Sequence, residues 1–99
     1  MEIRHDYSCS KEQAYKIVDG ILNKLQDQYG DMIKNPSKMW NDSNDRMSFS
    51  FKAKGFNIKG DISLSDHSLI LTGNLPFLAR AFSGRIETAI RGKLEEILN

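Results

Sequence analysis

The side chains that could act as nucleophiles, bases or metal ligands are few and scattered. The chain has two histidines, His5 and His67, and one cysteine, Cys9. A structural zinc site needs four closely spaced Cys or His ligands, and these residues do not provide them. Ser83 stands in Phe-Ser-Gly-Arg, which lacks the Gly-x-Ser-x-Gly frame of a nucleophile elbow. The sequence therefore predicts no catalytic residue, no metal site and no cofactor.

The composition is that of an ordinary globular chain. The residues are 39% hydrophobic and 27% charged, with a net charge of +1, which argues against a disordered chain. The length of 99 residues predicts a single domain over residues 1–99. The near-neutral charge gives no general attraction for nucleic acid. One cysteine excludes an internal disulfide and suits a reducing compartment. No apolar run approaches about eighteen residues and MEIRHDYS lacks a signal core, so we expect a cytoplasmic protein without a transmembrane segment.

The first half of the chain predicts a strand and a long helix. Alternating residue types indicate a strand over residues 2–7. Ser10 and Gln13 have capping-box spacing, and the apolar stripe that follows predicts a helix ending at Gly30. Gly20 inside this helix suggests close approach to another element. Between residues 31 and 45 the pattern is weak, and Pro36 places any strand near 36–41 at an edge or makes it irregular.

The second half predicts three antiparallel strands, each with one apolar face. Two-residue hairpin loops at 54–55 and 66–67 set a register in which every apolar residue meets an apolar residue or a glycine. The pairs are Ala53–Phe56, Phe51–Ile58, Phe49–Gly60, Met47–Ile62, Leu64–Leu69, Ile62–Leu71, Gly60–Gly73 and Ile58–Leu75.

A second amphipathic helix is predicted to begin near Pro76, a residue favoured in the first helical turn. The element order is then β-α-β-β-β-β-α. Both helices have one apolar stripe and the sheet has one apolar face. A two-layer α+β sandwich buries all of these surfaces, with an antiparallel sheet of four to five strands and two long helices on one face.

Several motifs together identify a family. They are Gly55, Gly60 and Leu75, the run Phe82-Ser83-Gly84-Arg85-Ile86-Glu87, and the ending Lys93-Leu94-Glu95-Glu96-Ile97-Leu98. With these, and with an amino-terminal Ile-Arg strand and a long helix ending in Tyr29-Gly30, the chain resembles the small polyhydroxyalkanoic acid system proteins over nearly its whole length. Residues 31–45 depart from the family pattern. The resemblance implies association with polyhydroxyalkanoate storage granules and no established catalytic activity.

The resemblance therefore predicts a non-enzymatic accessory protein that binds a hydrophobic granule surface or a granule-associated protein. Ile70 lies on the otherwise polar sheet face, and Phe77 lies at the helix start off its apolar stripe. An exposed apolar side chain of this kind suits a partner, a second copy of the chain or a granule. Arg80 and Arg85 would form a basic rim around this contact.

The remaining basic residues have two interpretations. Lys52, Lys54 and Lys59 fall on the polar sheet face, and Arg91 joins Arg80 and Arg85 on the last helix. They form either a solvated charged surface or a region of weak attraction to an anionic surface. Aromatic residues do not interleave with the lysines, so no nucleic-acid partner is expected.

The alternative function is a carrier for a small hydrophobic ligand. Two facing glycines on the buried side of the sheet leave space there, and a filled core is the competing interpretation. The residues that would line such a cavity are Phe49, Phe51, Ile58, Gly60, Ile62, Leu71, Gly73, Phe82 and Ile86.

Overall fold

The chain folds as a five-stranded antiparallel sheet with its helices packed on one face. The computed structural model describes residues 2–53, 55–74 and 83–98, without the side chains of 74, 83–87 and 89. The elements are β1 (Glu2–Asp6), α1 (Lys11–Asp19), α2 (Ile21–Tyr29), a 3-10 turn (Gly30–Met32), β2 (Ile33–Trp40), β3 (Arg46–Ala53), β4 (Phe56–Leu64), β5 (Ser68–Asn74) and α3 (Ser83–Ile97). The strand order is β1-β5-β4-β3-β2. The predicted two-layer α+β sandwich is confirmed. The predicted helix start at Pro76 lies outside the described residues.

The first predicted helix is divided in two at Gly20. The capping box at its start is present: the Ser10 hydroxyl accepts from the Gln13 N–H at 3.1 Å, and the Gln13 side chain accepts from the Ser10 N–H. Gly20 ends α1, and α2 begins at the next residue. Among the described residues, a Cβ at Gly20 would meet only two carbonyl oxygens of α1 within 4 Å. The suggestion that Gly20 marks a close approach to another element is therefore wrong, and the glycine instead separates two helices.

The register predicted for β3, β4 and β5 is confirmed. Phe49 pairs with Gly60, and Gly60 pairs with Gly73. The predicted pair Ile58–Leu75 involves a residue outside the described part of the chain. On the helix side, one row of paired residues crosses all five strands: Trp40, Met47, Ile62, Leu71 and Ile3.

β2 is an edge strand, as Pro36 predicts, and it is longer than the predicted segment. Its pairing with β3 shifts between Lys34 and Ser37, and Asn35 in that interval has a φ of 53°. The shift is a β-bulge, which an edge strand accommodates because only one neighbour must follow it. Pro36 has no N–H to donate. Because an edge strand has only one neighbouring strand, the missing donor does not interrupt a hydrogen-bond ladder on its other side.

The core lies between the sheet and the helices. Its buried cluster comprises Ile3, Tyr7, Ala14, Val18, Met47, Ile62, Leu64, Leu69, Leu71, Leu94 and Leu98. Leu94 and Leu98 attach the carboxy-terminal part of α3 to the sheet. Cys9 is half-buried and packs against the same cluster.

Candidate functional site

The sheet side opposite the helices, called here the open face, is mostly polar. Its central row is Met39, Ser48, Asp61, Thr72 and Glu2. A shallow depression of about 630 Å³ crosses the strands here, lined by Ser37, Lys38, Met39, Ser48, Phe49, Ser50, Lys59, Gly60, Asp61, Thr72 and Gly73. The side chains of Phe49 and Lys38 belong to the helix side by strand alternation, so hydroxyl groups, one carboxylate and one lysine dominate the depression.

The carboxylate in the depression is held by its neighbours. Asp61 accepts from the Ser48 hydroxyl at 2.7 Å and from the Arg46 guanidinium at 3.5 Å. The described residues that line the depression include no histidine and no thiol. General acid–base chemistry needs a donor and an acceptor within reach of one reacting atom. This arrangement suits polar binding better than proton transfer.

Two apolar side chains stand out on the open face. Ile70 pairs with Ser63 and is 37% exposed, where the sequence predicts it. Met39 pairs with Ser48 and is 75% exposed. The sequence interpretation missed Met39, although its neighbour Trp40 lies in the core row. Since strand residues alternate between faces, that neighbour was the available signal.

The other predicted surface residues stay predictions. Phe77 and Arg80 lie outside the described residues. Arg85 lies in α3, and its side chain is outside the described part.

The predicted cavity residues that belong to β3, β4 and β5 lie on the helix side of the sheet. A Cβ built at Gly60 would be 2.6 Å from Cζ of Phe49, so the Phe49 ring occupies the space that this glycine leaves. That ring stacks on Phe51, with centroids 6.2 Å apart. Ile62 and Leu71 are buried, whereas Phe51 and Ile58 are half-buried. Phe82 and the side chain of Ile86 are outside the described part.

A polar cluster that the sequence interpretation missed joins α1 to β2. The Asp19 carboxylate accepts from the Trp40 indole N–H at 2.9 Å and forms an ion pair with Lys38 Nζ at 2.8 Å. The Trp40 ring packs on Tyr15 with centroids 4.6 Å apart. Hydrogen bonds from Lys38 and then Trp40 hold the pKa of Asp19 below its usual value. The cluster draws Lys38 and Trp40 to the helix side, which turns Met39 to the open face.

Acidification is expected to weaken this cluster. A carboxyl with a lowered folded-state pKa contributes stability that is present above the unfolded pKa of about 3.9 and is lost as the pH falls through the folded value. Asp19→Asn keeps an acceptor oxygen and removes the charge. The Tm advantage of the wild type over Asp19→Asn should therefore shrink between about pH 6 and pH 2.5. A constant difference across this range, measured by thermal denaturation, would contradict the role of the charge.

Two titratable side chains that could have served chemistry contact the backbone instead. His5 Nε2 hydrogen-bonds with the Leu98 carbonyl oxygen, and the Tyr7 hydroxyl donates to the Ser65 carbonyl oxygen. Burial raises the pKa of Tyr7, with further contributions from Cys9 and Asp66. These contacts connect β1 to the end of α3 and to the β4–β5 turn, so both groups stabilise the fold.

The described residues contain neither a membrane-spanning helix nor a group of metal ligands. Within 2–53, 55–74 and 83–98, no helix has the length and apolar character needed to cross a membrane. In the same ranges, no three His, Cys, Asp or Glu residues group so that they could hold a metal ion.

Comparison with known proteins identifies one family. The sequence model of the family described as "Putative polyhydroxyalkanoic acid system protein" matches residues 1–98. No curated protein and no solved structure matches the chain. The match spans every described strand and helix and confirms the resemblance found from the motifs.

Proposed function

The chain belongs to the polyhydroxyalkanoic acid system protein family, and from this premise we propose that it is a non-enzymatic accessory protein of polyhydroxyalkanoate storage. It binds the hydrophobic surface of a cytoplasmic granule or a protein on that surface. The observation that carries the proposal is the extent of the family match, residues 1–98. The match covers nearly the whole chain, and we place the proposed contact on the surface of this domain.

The open face supports a surface contact. Met39 and Ile70 project from a polar sheet that bears no helix on that side in the described residues. Burying one such side chain contributes roughly 1.5–3 kcal/mol when it is fully removed from water. Phe77, Arg80 and Arg85 extend this contact in the proposal.

The interior favours the surface contact over the alternative, carriage of a small hydrophobic ligand. A carrier needs unfilled volume between the sheet and the helices. The Phe49 ring lies against Gly60, at the centre of the proposed cavity. The ring would have to move before a ligand could enter at this position.

Ile70→Asp is expected to weaken binding to polymer particles. The substitution places a charge in the proposed contact, so we expect the fraction that co-sediments with phospholipid-free polyhydroxyalkanoate particles to fall about tenfold, corresponding to about 1.4 kcal/mol. Because Ile70 is partly exposed, the fold should tolerate the change, which circular dichroism checks. Phe77→Asp tests the sequence-predicted part of the contact in the same assay.

The matched control for Ile70→Asp is Asn23→Asp. Asn23 is exposed on α2, so the same charge change falls in the helix layer and should leave co-sedimentation unchanged. Failure of the wild-type chain to co-sediment at low salt would contradict the granule role. If co-sedimentation fell equally for the two variants, Ile70 would not be part of the contact.

A further inference from the structure

Three lysines gather at one end of the open face. Lys34 on β2 pairs directly with Lys52 on β3. Lys52 pairs with Asn57, which is two residues before Lys59 on β4, so Lys59 lies on the same face, diagonal to Lys52. All three residues are exposed. We call Lys34, Lys52 and Lys59 the lysine cluster.

The lysine cluster has no internal charge compensation. Like charges directly opposite each other on neighbouring strands destabilise the pair, and Lys34 and Lys52 are in that position. Among the described residues, none of the three takes part in a salt bridge. This end of the sheet therefore carries a local positive charge that an external anion would relieve.

The other end of the same face is neutralised. Arg4 pairs with Asp6 at 3.4 Å, and Arg46 pairs with Asp61 at 3.5 Å. Among the described residues, the lysines without an ion pair on the open face therefore lie at one end of it, although the net charge of the chain is only +1. Composition does not reveal this asymmetry, because Lys34 and Lys52 are eighteen positions apart in sequence and come together only by strand pairing.

We propose that the lysine cluster docks the open face on anionic phospholipid headgroups. The inference rests on the proposed granule role and names the surface chemistry that the domain recognises. Lysines near an anionic lipid surface each strengthen binding about fivefold. Met39, exposed on the same face and two residues beyond the bulge, supplies an apolar group that can enter the interface between headgroups.

The aromatic residues favour lipid over single-stranded nucleic acid as the anionic partner. Single-stranded nucleic acid is bound by aromatic rings that stack on bases beside basic residues. The aromatic residues of β3 and β4 are Phe49, Phe51 and Phe56, and the register places them on the helix side. No aromatic residue of the described strands shares the open face with the lysine cluster.

The test uses the full chain and vesicles of defined composition. We expect it to co-sediment with vesicles of phosphatidylglycerol and phosphatidylcholine at low ionic strength, and not with pure phosphatidylcholine. Binding should weaken as salt is raised, since the Debye length is about 10 Å at 0.1 M. Lys52→Glu changes the local charge by two and should reduce vesicle partition about 25-fold.

The same substitution has an opposite expected effect on stability. The new carboxylate faces Lys34 across the strand pair, so repulsion becomes attraction and Tm should rise by roughly 1–5 °C. Lost binding together with a higher Tm excludes unfolding as the cause. Lys24→Glu is the matched control, because Lys24 is exposed on α2. Reversing its charge changes the net charge of the chain by the same amount and leaves the open face unaltered.

Several outcomes would overturn the inference. Equal binding to the two vesicle types would do so, as would equal losses for Lys52→Glu and Lys24→Glu. Displacement of the chain from vesicles by duplex DNA at matched phosphate concentration would assign the lysine cluster to nucleic acid instead.

Binding to polymer particles free of phospholipid tests the granule role separately from the proposed binding to anionic lipid. The inference is supported if the Lys52→Glu variant still binds the polymer particles but no longer binds anionic vesicles. A wild-type chain that binds the particles but no anionic vesicle overturns the inference and leaves the granule role standing. A wild-type chain that binds neither overturns both.

Discussion

Replacing Gly60 with alanine is expected to lower the free energy of unfolding by about 3 kcal/mol. A Cβ at this position would overlap the Thr72 carbonyl oxygen and would lie 2.6 Å from Cζ of Phe49. The ring can rotate away, but the carbonyl belongs to the backbone of the neighbouring strand. Relief there requires distortion of the β4–β5 ladder. In a domain of this size the loss corresponds to roughly 10–20 °C in Tm.

Two further variants test the cause of this loss. Phe49→Leu combined with Gly60→Ala removes the ring contact and leaves the Thr72 carbonyl, so we expect only partial recovery. Gly92→Ala is the matched control, because Gly92 lies in α3 and a Cβ there meets nothing within 4 Å in the described residues. It should be neutral or stabilising by up to about 1 kcal/mol. A neutral Gly60→Ala would show that the strands do not approach this closely.

Leu69→Ala and Ile70→Ala are expected to differ severalfold in their effect on stability. Leu69 is 0% exposed and Ile70 is 37% exposed, although they are neighbours on β5. Leu69→Ala opens a cavity in the core and should lower the free energy of unfolding by about 3 kcal/mol. Ile70→Ala removes atoms from the open face and should lower it by less than about 1 kcal/mol. Urea denaturation at constant m-value measures both.

Equal losses for the two alanine variants would contradict the exposed open face. They would mean that Ile70 is buried in solution, and a second copy of the chain is the nearest candidate for the covering surface. The Tm of the wild-type chain would then depend on protein concentration, because association stabilises the folded state by mass action.

The sheet register could be predicted from the sequence because it depends on local information. Side-chain direction alternates with every residue, so a shift of one position would turn the apolar side of β4 to water. Gly55, with a φ of 82°, marks the turn that sets the β3–β4 pairing. The Gly60–Gly73 pair follows from the same pattern. The sequence could not show how the space beside Gly60 is filled, because that depends on the rotamer of Phe49.

The features that bear on function depend on contacts between distant segments. Asp19 meets Lys38 and Trp40 only after β2 joins the sheet edge, and this contact turns Met39 outward. Lys34 meets Lys52 across a strand pair whose register shifts at a bulge. No local periodicity predicts a bulge of this kind, since the extra residue breaks the alternation that prediction relies on.

The sequence by itself determined the fold class, the register of three strands and the family, because each depends on repeating patterns or motifs within short stretches. Only the tertiary structure decided the strand order, the division at Gly20 and the positive end of the open face. β1 lies beside β5 although more than sixty residues separate them along the chain. The pairing of β1 depends on which edge of the sheet lets β1 complete the core. That edge is defined only when the whole chain has packed.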